Sequence, residues 1–563
     1  MDRLSTRTDP LGRVEAYTYD PNGNLTQFTD RKGQVSAFQY DPLNRRTRAT
    51  YADGSVATFT YDAAGRLTQA DDTADPHRPI ALTYDTLDRL TAETTALGTV
   101  SYQYDPLGRR TEMTVSGQAP VSYTYDAASR LRTITQAPLN PVDIQYDPLN
   151  RRTRLTLPNG VSTEYQYDAA SRLTALIYRN ALGPLGDLTY QYDPAGNRTA
   201  VGGSFARTLH PDPVPSATYD AANQQLAFGG KTMTYDPNGS LATLTEGGAT
   251  TTFTWDARNR LAALAGATTG SFAYDGTGRR ARKTIAGVPT TFQHDGAEIV
   301  QAVVDGVPTP FLSGPQIDEP WARGDTEYYL ADALGSIVAL TEATGRPTTS
   351  YVYSAFGQTT SSGPASPNPF QYTGRENDGT SLYYYRARYY NPILLRFISE
   401  DALDLGEMIL FKQADPSDAT VRLLYSAVRS DPQLLHPTLY AVNSPVNYTD
   451  PSGEIVPQLV GCVVGAGISV ALDVGAGRKI NWFDAGVGCA LGLVGGWLPG
   501  KSLHFGLHGP HHYFPRLGRS LPHLQFDWGI KGVRAKPKGF RIPLPERLGP
   551  ARDRDIRFSI PGL

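Results

Sequence analysis

Five of the nine histidines in this 563-residue chain fall between positions 504 and 523: His504, His508, His511, His512 and His523. Asp527 follows them. Imidazoles this close together suit metal ligation or general acid–base work. Around them stand Arg516, Arg519, Lys531, Arg534, Lys536 and Lys538, a basic set that suits a polyanion. Tyr513, Phe514, Phe526 and Trp528 can stack on bases. A small metal-dependent nuclease would combine these features, with a divalent metal as cofactor and nucleic acid as target. No motif is complete, because there is neither an HExxH nor an assignable His-Asn-His order. A different toxic activity, or a purely structural tail, stays open.

The elements that must carry these residues differ from the rest of the chain. Residues 501–563 hold 12 Lys/Arg against 4 Asp/Glu, whereas the first 500 hold 40 against 51. Two uncharged stretches precede the basic region, "IVPQLVGCVVGAGISVAL" (455–472) and "AGVGCALGLVGGWLPG" (485–500). Their small-xxx-small steps, Gly461 with Gly465 and Gly488 with Gly492, fit a paired helical hairpin, a linker or contact with a membrane. The C-terminal region is expected to be of α or α+β type. Cys462 and Cys489 lie in this apolar segment and cannot make a disulfide framework. The N-terminal "MDRLSTRTDPLGR" has no apolar core, so no signal peptide is expected.

Upstream, one pattern returns at steps of mostly 20 or 21 residues: "TYDPNGNL" (18–25), "QYDPLNRR" (39–46), "TYDAAGRL" (60–67), "QYDPLGRR" (103–110). Its Tyr, or a stand-in, recurs from Tyr19 to Trp255, Tyr274 and His294. Period-two alternation before each Tyr-Asp reads as strand. The Asp opens a turn whose amides it can accept, Pro presets the first turn position, and Gly or Asn suits the left-handed residue that closes a type I turn with a bulge. Each unit is a hairpin that is marginal alone, so the units must stack into one long curled sheet with Tyr ladders on one face. The fold class is therefore all-β. These aspartates are expected to cap turns. Calcium has no Gly-Gly-x-Gly-x-Asp repeat to support it, so no cofactor is expected for this part.

The chain resembles the Rhs/YD-repeat proteins, which include bacterial polymorphic toxins and the C component of Tc toxins. Half of the resemblance is the repeats (1–300). The more specific half is the block 301–454, which is similar to the Rhs-associated core. Its marks are "EYYLADALGSIVALTEATGRPTTSYVYSAFGQ" (327–358), "YTGRENDGTSLYYYRARYYNPILLRFISED" (372–401) and the closing "YAVNSPVNYTDPSGE" (440–454). The resemblance implies a hollow spiral shell of hairpins, capped by the core, with the variable C-terminal region as cargo inside. It implies delivery to the cell surface or outside the cell, a secretion-system or Tc-like partner and an immunity protein. The chain begins within the repeats, without a PAAR-like or plug domain, which fits a fragment, a displaced copy or one component of a larger assembly.

The resemblance also implies that the core cuts its own chain by aspartyl-protease-like chemistry. One carboxylate of the pair would be Asp401 ("RFISED") and the other Asp450 ("YTDPSG"), with Arg396 as an orienting residue and cleavage at Glu454 or Ile455. Two close carboxylates share one proton, so one can activate water while the other polarises the carbonyl. This chain departs from the family pattern at Ala402, where Pro is usual, at Glu454, where an apolar residue is usual, and at 403–437, an insertion with helical spacing around Leu423 and Leu424. Asp404 is the rival to Asp401. The arginines and tyrosines of 383–390 are expected to build the plug. Two other readings compete with toxin delivery: a structural or cell-surface repeat protein without an active tail, and a truncated remnant.

Overall fold

A computed structural model describes residues 3–210, 213–401 and 438–453, together with the backbone of six short strands between 502 and 559. The chain divides into two compact units. One comprises Arg3–Ala402 with His436–Glu454, and the other comprises Met1–Asp2, Leu403–Leu435 and Ile455–Leu563.

The first unit is built from two antiparallel meanders. Nineteen strands run from Thr6–Thr8 to Arg198–Gly202, each paired with its sequence neighbours. Sixteen more run from Ala217–Tyr219 to Thr359–Ser362. The break between them falls where the Tyr-Asp spacing stretches from Tyr192 to Tyr219. The second sheet passes residue 300 without interruption, because the same turn continues into the core block. Asp332 of "LADALGS" accepts the amides of Leu334 and Ser336, at 2.8 Å each.

The geometry of one repeat explains its spelling. Asp41 accepts the amides of Leu43 (2.9 Å) and Arg45 (3.0 Å) through Oδ1, and the Arg45 side chain through Oδ2 (Nε, 2.7 Å). Asn44 closes the turn at φ 61°, as Gly23 and Gly65 do in the flanking units, and the strand register shifts at Tyr40, which pairs with Arg46. This is the expected type I turn with its bulge. Arg45 then reaches forward: its guanidinium lies 4.6 Å from the centroid of the Tyr61 ring and donates to the Asp62 carbonyl at 3.2 Å. Tyr61 in turn donates its hydroxyl back to the Arg46 carbonyl at 2.9 Å. The forward stack recurs from Arg66 to Tyr84, Arg89 to Tyr104, Arg109 to Tyr125, Arg130 to Tyr146 and Arg151 to Tyr167. Trp255 keeps the backward bond through its indole N–H to the Leu241 carbonyl at 2.8 Å. His294 is buried, and its pKa is pushed down to about 3 by burial, reinforced by Arg279.

A unit thus grips its own turn with Asp and docks on the next unit with Arg. Asp105→Ala would free Arg109 and leave two turn amides, those of Leu107 and Arg109, without their acceptor. It is expected to cost about 1–2 kcal/mol, the range of a lost cap. Hydrogen exchange should quicken locally at residues 105–109. Asp105→Asn, which retains an acceptor oxygen, should lose about half as much.

The two sheets pack as successive coils. Arg258 bridges to buried Asp72 (Nη2–Oδ1 2.8 Å) and Arg279 to Glu93 (2.6 Å), each 186 residues apart in sequence. Arg110 bridges to Asp295 at a separation of 185 (Nη2–Oδ1 3.0 Å). At about 21 residues per unit, that constant offset corresponds to about nine hairpins per turn of the coil. The interior between the coils is apolar, with Val100, Ile134, Ile144 and Leu176 facing Leu312, Trp321 and Leu330.

A small four-stranded sheet closes this unit: Glu376–Asn377, Tyr383–Tyr385, Arg388–Asn391 and Arg396–Phe397. Tyr383, Tyr385, Tyr390, Phe397 and Tyr440 are almost wholly buried together, with Tyr390 and Tyr440 ring centroids 4.4 Å apart. Arg280, from the repeats, enters this sheet. It is 1% exposed, bonds Glu376 at 2.5 Å and Asp378, and lies 4.1 Å from the Tyr384 ring centroid. Lys283 also bonds Asp378 at 2.7 Å. Arg280→Met would take from buried Glu376 its close cation and leave Asp378 to Lys283 alone, at an expected cost of about 3–5 kcal/mol. The triple variant R280M/E376Q/D378N should recover most of that loss in a chemical-denaturation midpoint.

The described part of the C-terminal region is strand; the rest of the region, on which the α or α+β expectation also falls, lies outside the described residues. Its principal strands are Ser502–His508, His523–Gly529, Lys538–Pro543 and Ile556–Ser559. The reason is the period-two alternation of "SLHFGLH" and "HLQFDWG", which a helix cannot bury on one side. Residues 403–437 and 455–500 lie outside the described residues.

Candidate functional site

Asp401 ends the segment that follows the small sheet, and several contacts fix it there. The Ile398 amide donates to the Tyr389 carbonyl at 3.0 Å, and the Leu241 amide donates to the Ile398 carbonyl at 2.8 Å. Glu400 is held by Arg31 from the first coil at 2.5 Å. Asp450 arrives from the closing segment, whose Tyr440 hydroxyl meets that of Tyr385 at 3.0 Å.

The two aspartates meet at one guanidinium. Arg388 Nη2 lies 2.8 Å from Asp401 Oδ2 and 3.6 Å from Asp450 Oδ2. Its plane is stacked on Phe397, 3.8 Å from the ring centroid. Arg388 Nε donates to the Gly453 carbonyl, the oxygen of the peptide bond that leads into Glu454. One arginine therefore touches both carboxylates and the carbonyl of the bond expected to be cut.

Asp450 is 1% exposed. Burial pushes its pKa up to about 7, against the pull of Arg388, with the Asp401 charge adding to the rise. Its Oδ1 accepts from the Gly453 amide at 3.0 Å and the Ser452 hydroxyl at 3.1 Å. Gly453 adopts φ 70°, and a Cβ there would lie 2.0 Å from the Tyr385 carbonyl oxygen. No other residue fits without moving the strand. The turn is clamped further by Arg386, itself at φ 54°, which donates to the Pro451 carbonyl and bonds Glu298 (2.7 Å) and Asp318 (2.8 Å). The Ala387 amide donates to the Ser452 carbonyl at 3.0 Å.

Arg396 does not serve this pair, which corrects its expected orienting role. It lies 5.1 Å from the Tyr219 ring centroid and donates to the Asn223 carbonyl at 3.4 Å, so it faces the repeats. The strand alternation explains this, since Arg396 pairs with Asn391 in the small sheet and points away from Arg388. Sequence reasoning assigned Arg386 and Arg388 to the plug along with their tyrosine neighbours. Their grip on residues 451–453, 65 positions away, had no local signal. Glu454, Ile455, Asp404, His511 and His512 lie outside the described residues. His504, His508, His523 and Asp527 fall on strands whose backbone alone is described.

The repeats match two known families: RHS Repeat over residues 2–35, 19–56 and 146–182, and Teneurin YD-shell over residues 49–162. Residues 2–182 of this chain are thus Rhs/YD repeats. Its relatives include the tRNA3(Ser)-specific nuclease WapA of Bacillus spizizenii, 28% identical over 231 residues, 38% of this chain and 10% of that protein. They also include the double-stranded DNA deaminase toxin A of Burkholderia cenocepacia, 25% identical over 276 residues, 39% of this chain and 19% of that protein. The chain spans about a tenth of the length of the WapA proteins it matches. Among solved structures, TcdB2–TccC3–Cdc42 aligns with 78% of this chain and 30% of its own, at 16% identity and a TM-score of 0.49. Among the described residues, no helix is long and apolar enough to cross a membrane.

Proposed function

We propose that this Rhs/YD-repeat protein is a toxin-delivery chain. Its repeat shell carries the C-terminal region as cargo, and its core releases that cargo by cutting the main chain after "DPSG". The observation that carries this reading is the convergence of Asp401, Asp450 and the Gly453 carbonyl on Arg388. In the scheme, Asp401 is the ionised partner beside the guanidinium and activates a water. Protonated Asp450 and Arg388 polarise the Gly453 carbonyl, and Asp450 returns a proton as the peptide bond breaks. The core needs no cofactor for this. The released region is read as a nuclease, supported by its basic, His-rich composition and by relatives named as nucleases. An immunity protein and a secretion-system or Tc-like partner belong to the same reading, as does delivery outside the producing cell.

The purified wild-type chain should run as two fragments on a denaturing gel, the smaller starting at Glu454 or Ile455. The fragments should co-migrate under native conditions, because in this reading the repeat shell retains the smaller one as cargo. A chain that stays intact would overturn self-release and favour the structural repeat protein.

A further inference from the structure

The side chain next to Asp401 is tied to both coils of the first unit. Glu400 meets Arg31 of the first coil at 2.5 Å (Nη2–Oε2) and 3.2 Å (Nη1–Oε1). Arg31 is largely buried, and the same guanidinium reaches Asp9 at 3.3 Å and Glu15 at 3.0 Å. Its Nη2 also donates to the carbonyl of Asn238, in the second sheet, at 2.7 Å. The side-chain amide of Asn238 donates in return to Asp30 at 2.7 Å, and both residues are buried. Lys32 bonds Asp236 at 3.1 Å across the same junction.

The turn at Asn238 is shaped for this contact. Its closing residue, Gly239, takes φ 78°, and a Cβ there would collide with the Glu400 carboxylate. Other turns carry Asn at the same place, as at Asn44 and Asn259, or a Gly with open space around it, as at Gly108. The left-handed backbone therefore tolerates Asn, and what position 239 needs is room.

This junction bears directly on Asp401. Arg31 gathers the carboxylates of Asp9, Glu15 and Glu400. Without the guanidinium these like charges would repel, driving Glu400 from the junction and Asp401 with it. Asp401 must keep its Oδ2 2.8 Å from Arg388 to act as the ionised partner. A misplacement of about 1 Å can cost about 100-fold in rate.

We propose that Glu400 and Arg31 are positioning residues for self-cleavage: the first coil, stacked on the second, sets Asp401 beside Arg388 through Glu400. The inference rests on the reading of the core as self-cutting. Neither residue acts on the reacting atoms. Release of the cargo is thereby conditional on the stacked coils.

The full chain is pulse-labelled in a cell-free translation reaction, and its splitting is followed on a denaturing gel. Glu400→Gln and Arg31→Met should each slow splitting about 100-fold. Glu400→Gln leaves Arg31 its bonds to Asp9 and Glu15, so the fold should survive. The double variant should be no slower than either single one, because both remove the same tether. Arg31→Lys, which returns a cation to Glu400, should recover splitting to within about tenfold of wild type. Gly239→Asn should slow splitting as well, while Gly108→Asn should not. Arg258→Met breaks a bridge between the same coils that does not involve Glu400, and so reads the effect of loosened stacking alone. It should split within about twofold of the wild-type rate.

Glu400→Gln and Arg31→Met chains that split as fast as wild type would overturn the inference and leave self-release standing. So would an Arg258→Met chain slowed as much as Arg31→Met, or an Arg31→Lys chain as slow as Arg31→Met. A wild-type chain that stays whole would overturn self-release, and this inference with it.

Discussion

Asp450→Asn should abolish self-cleavage, slowing it by about a thousandfold or more, the scale of a lost general acid acting with its partner carboxylate. The pH dependence separates this from a folding defect. Asp450 has its pKa raised from the ordinary 3.8 to about 7, chiefly by burial. Below about 4 the carboxyl is protonated whether the chain is folded or not. Between about 4 and 7 only the folded chain keeps the proton, so the stability this group contributes is lost as pH rises through about 7. Cleavage, which needs that proton, should be level between about pH 5 and 6.5 and fall about tenfold per unit above pH 7.5 in the wild-type chain. The Asn variant carries no such charge. At pH 8 it should therefore be at least as stable as wild type by denaturant midpoint while remaining uncut. An Asn variant that still splits, or a wild-type rate that climbs between pH 7 and 9, would remove Asp450 from the acid role.

Much of this fold was legible in the chain because it is spelled locally. A turn that needs an acceptor at Asp41, a left-handed residue at Asn44 and alternation on either side leaves few options for "QYDPLNRR". The coil was not legible in the same way. Arg258 and Asp72 are 186 positions apart, and nothing in the spelling of either turn marks the partner. The forward stack of each Arg on the next Tyr was missed for another reason. The arginine looked like a strand-starting residue, and its reach depends on the twist between units.

The candidate site divides along the same line. Asp401 and Asp450 could be nominated because "RFISED" and "YTDPSG" resemble motifs of the Rhs-associated core. The arginine could not. Arg386, Arg388 and Arg396 lie within eleven positions, the first in a turn and the other two on neighbouring strands, and turn geometry and register decide which guanidinium meets which group. Register gives Arg396 to the repeats and Arg388 to the carboxylates. In the tail the same principle works in the opposite direction. There the alternation is so regular that pairing alone gathers His504, His508, His523 and Asp527 on one face.

Arg388→Lys is expected to slow self-cleavage by about 100- to 1000-fold, the loss typical of a donor aimed at a developing oxyanion. A single ammonium cannot reproduce the arrangement, because Arg388 uses two nitrogens on different branches. Nη2 serves the carboxylates, and Nε serves the Gly453 carbonyl. Lysine keeps the charge and can satisfy the carboxylates, so the fold should survive with a modest loss. Arg388→Gln removes the cation between half-buried Asp401 and buried Asp450 and should cost about 3 kcal/mol, in the manner of a broken buried pair. The two variants therefore separate polarisation from stability. Arg388 pulls the Asp450 pKa down, and a shorter-reaching ammonium pulls less, so the downward limb of the pH profile should move to higher pH in Arg388→Lys. A lysine variant that cuts at the wild-type rate would show that the contact to Gly453 orders the chain and takes no part in the chemistry.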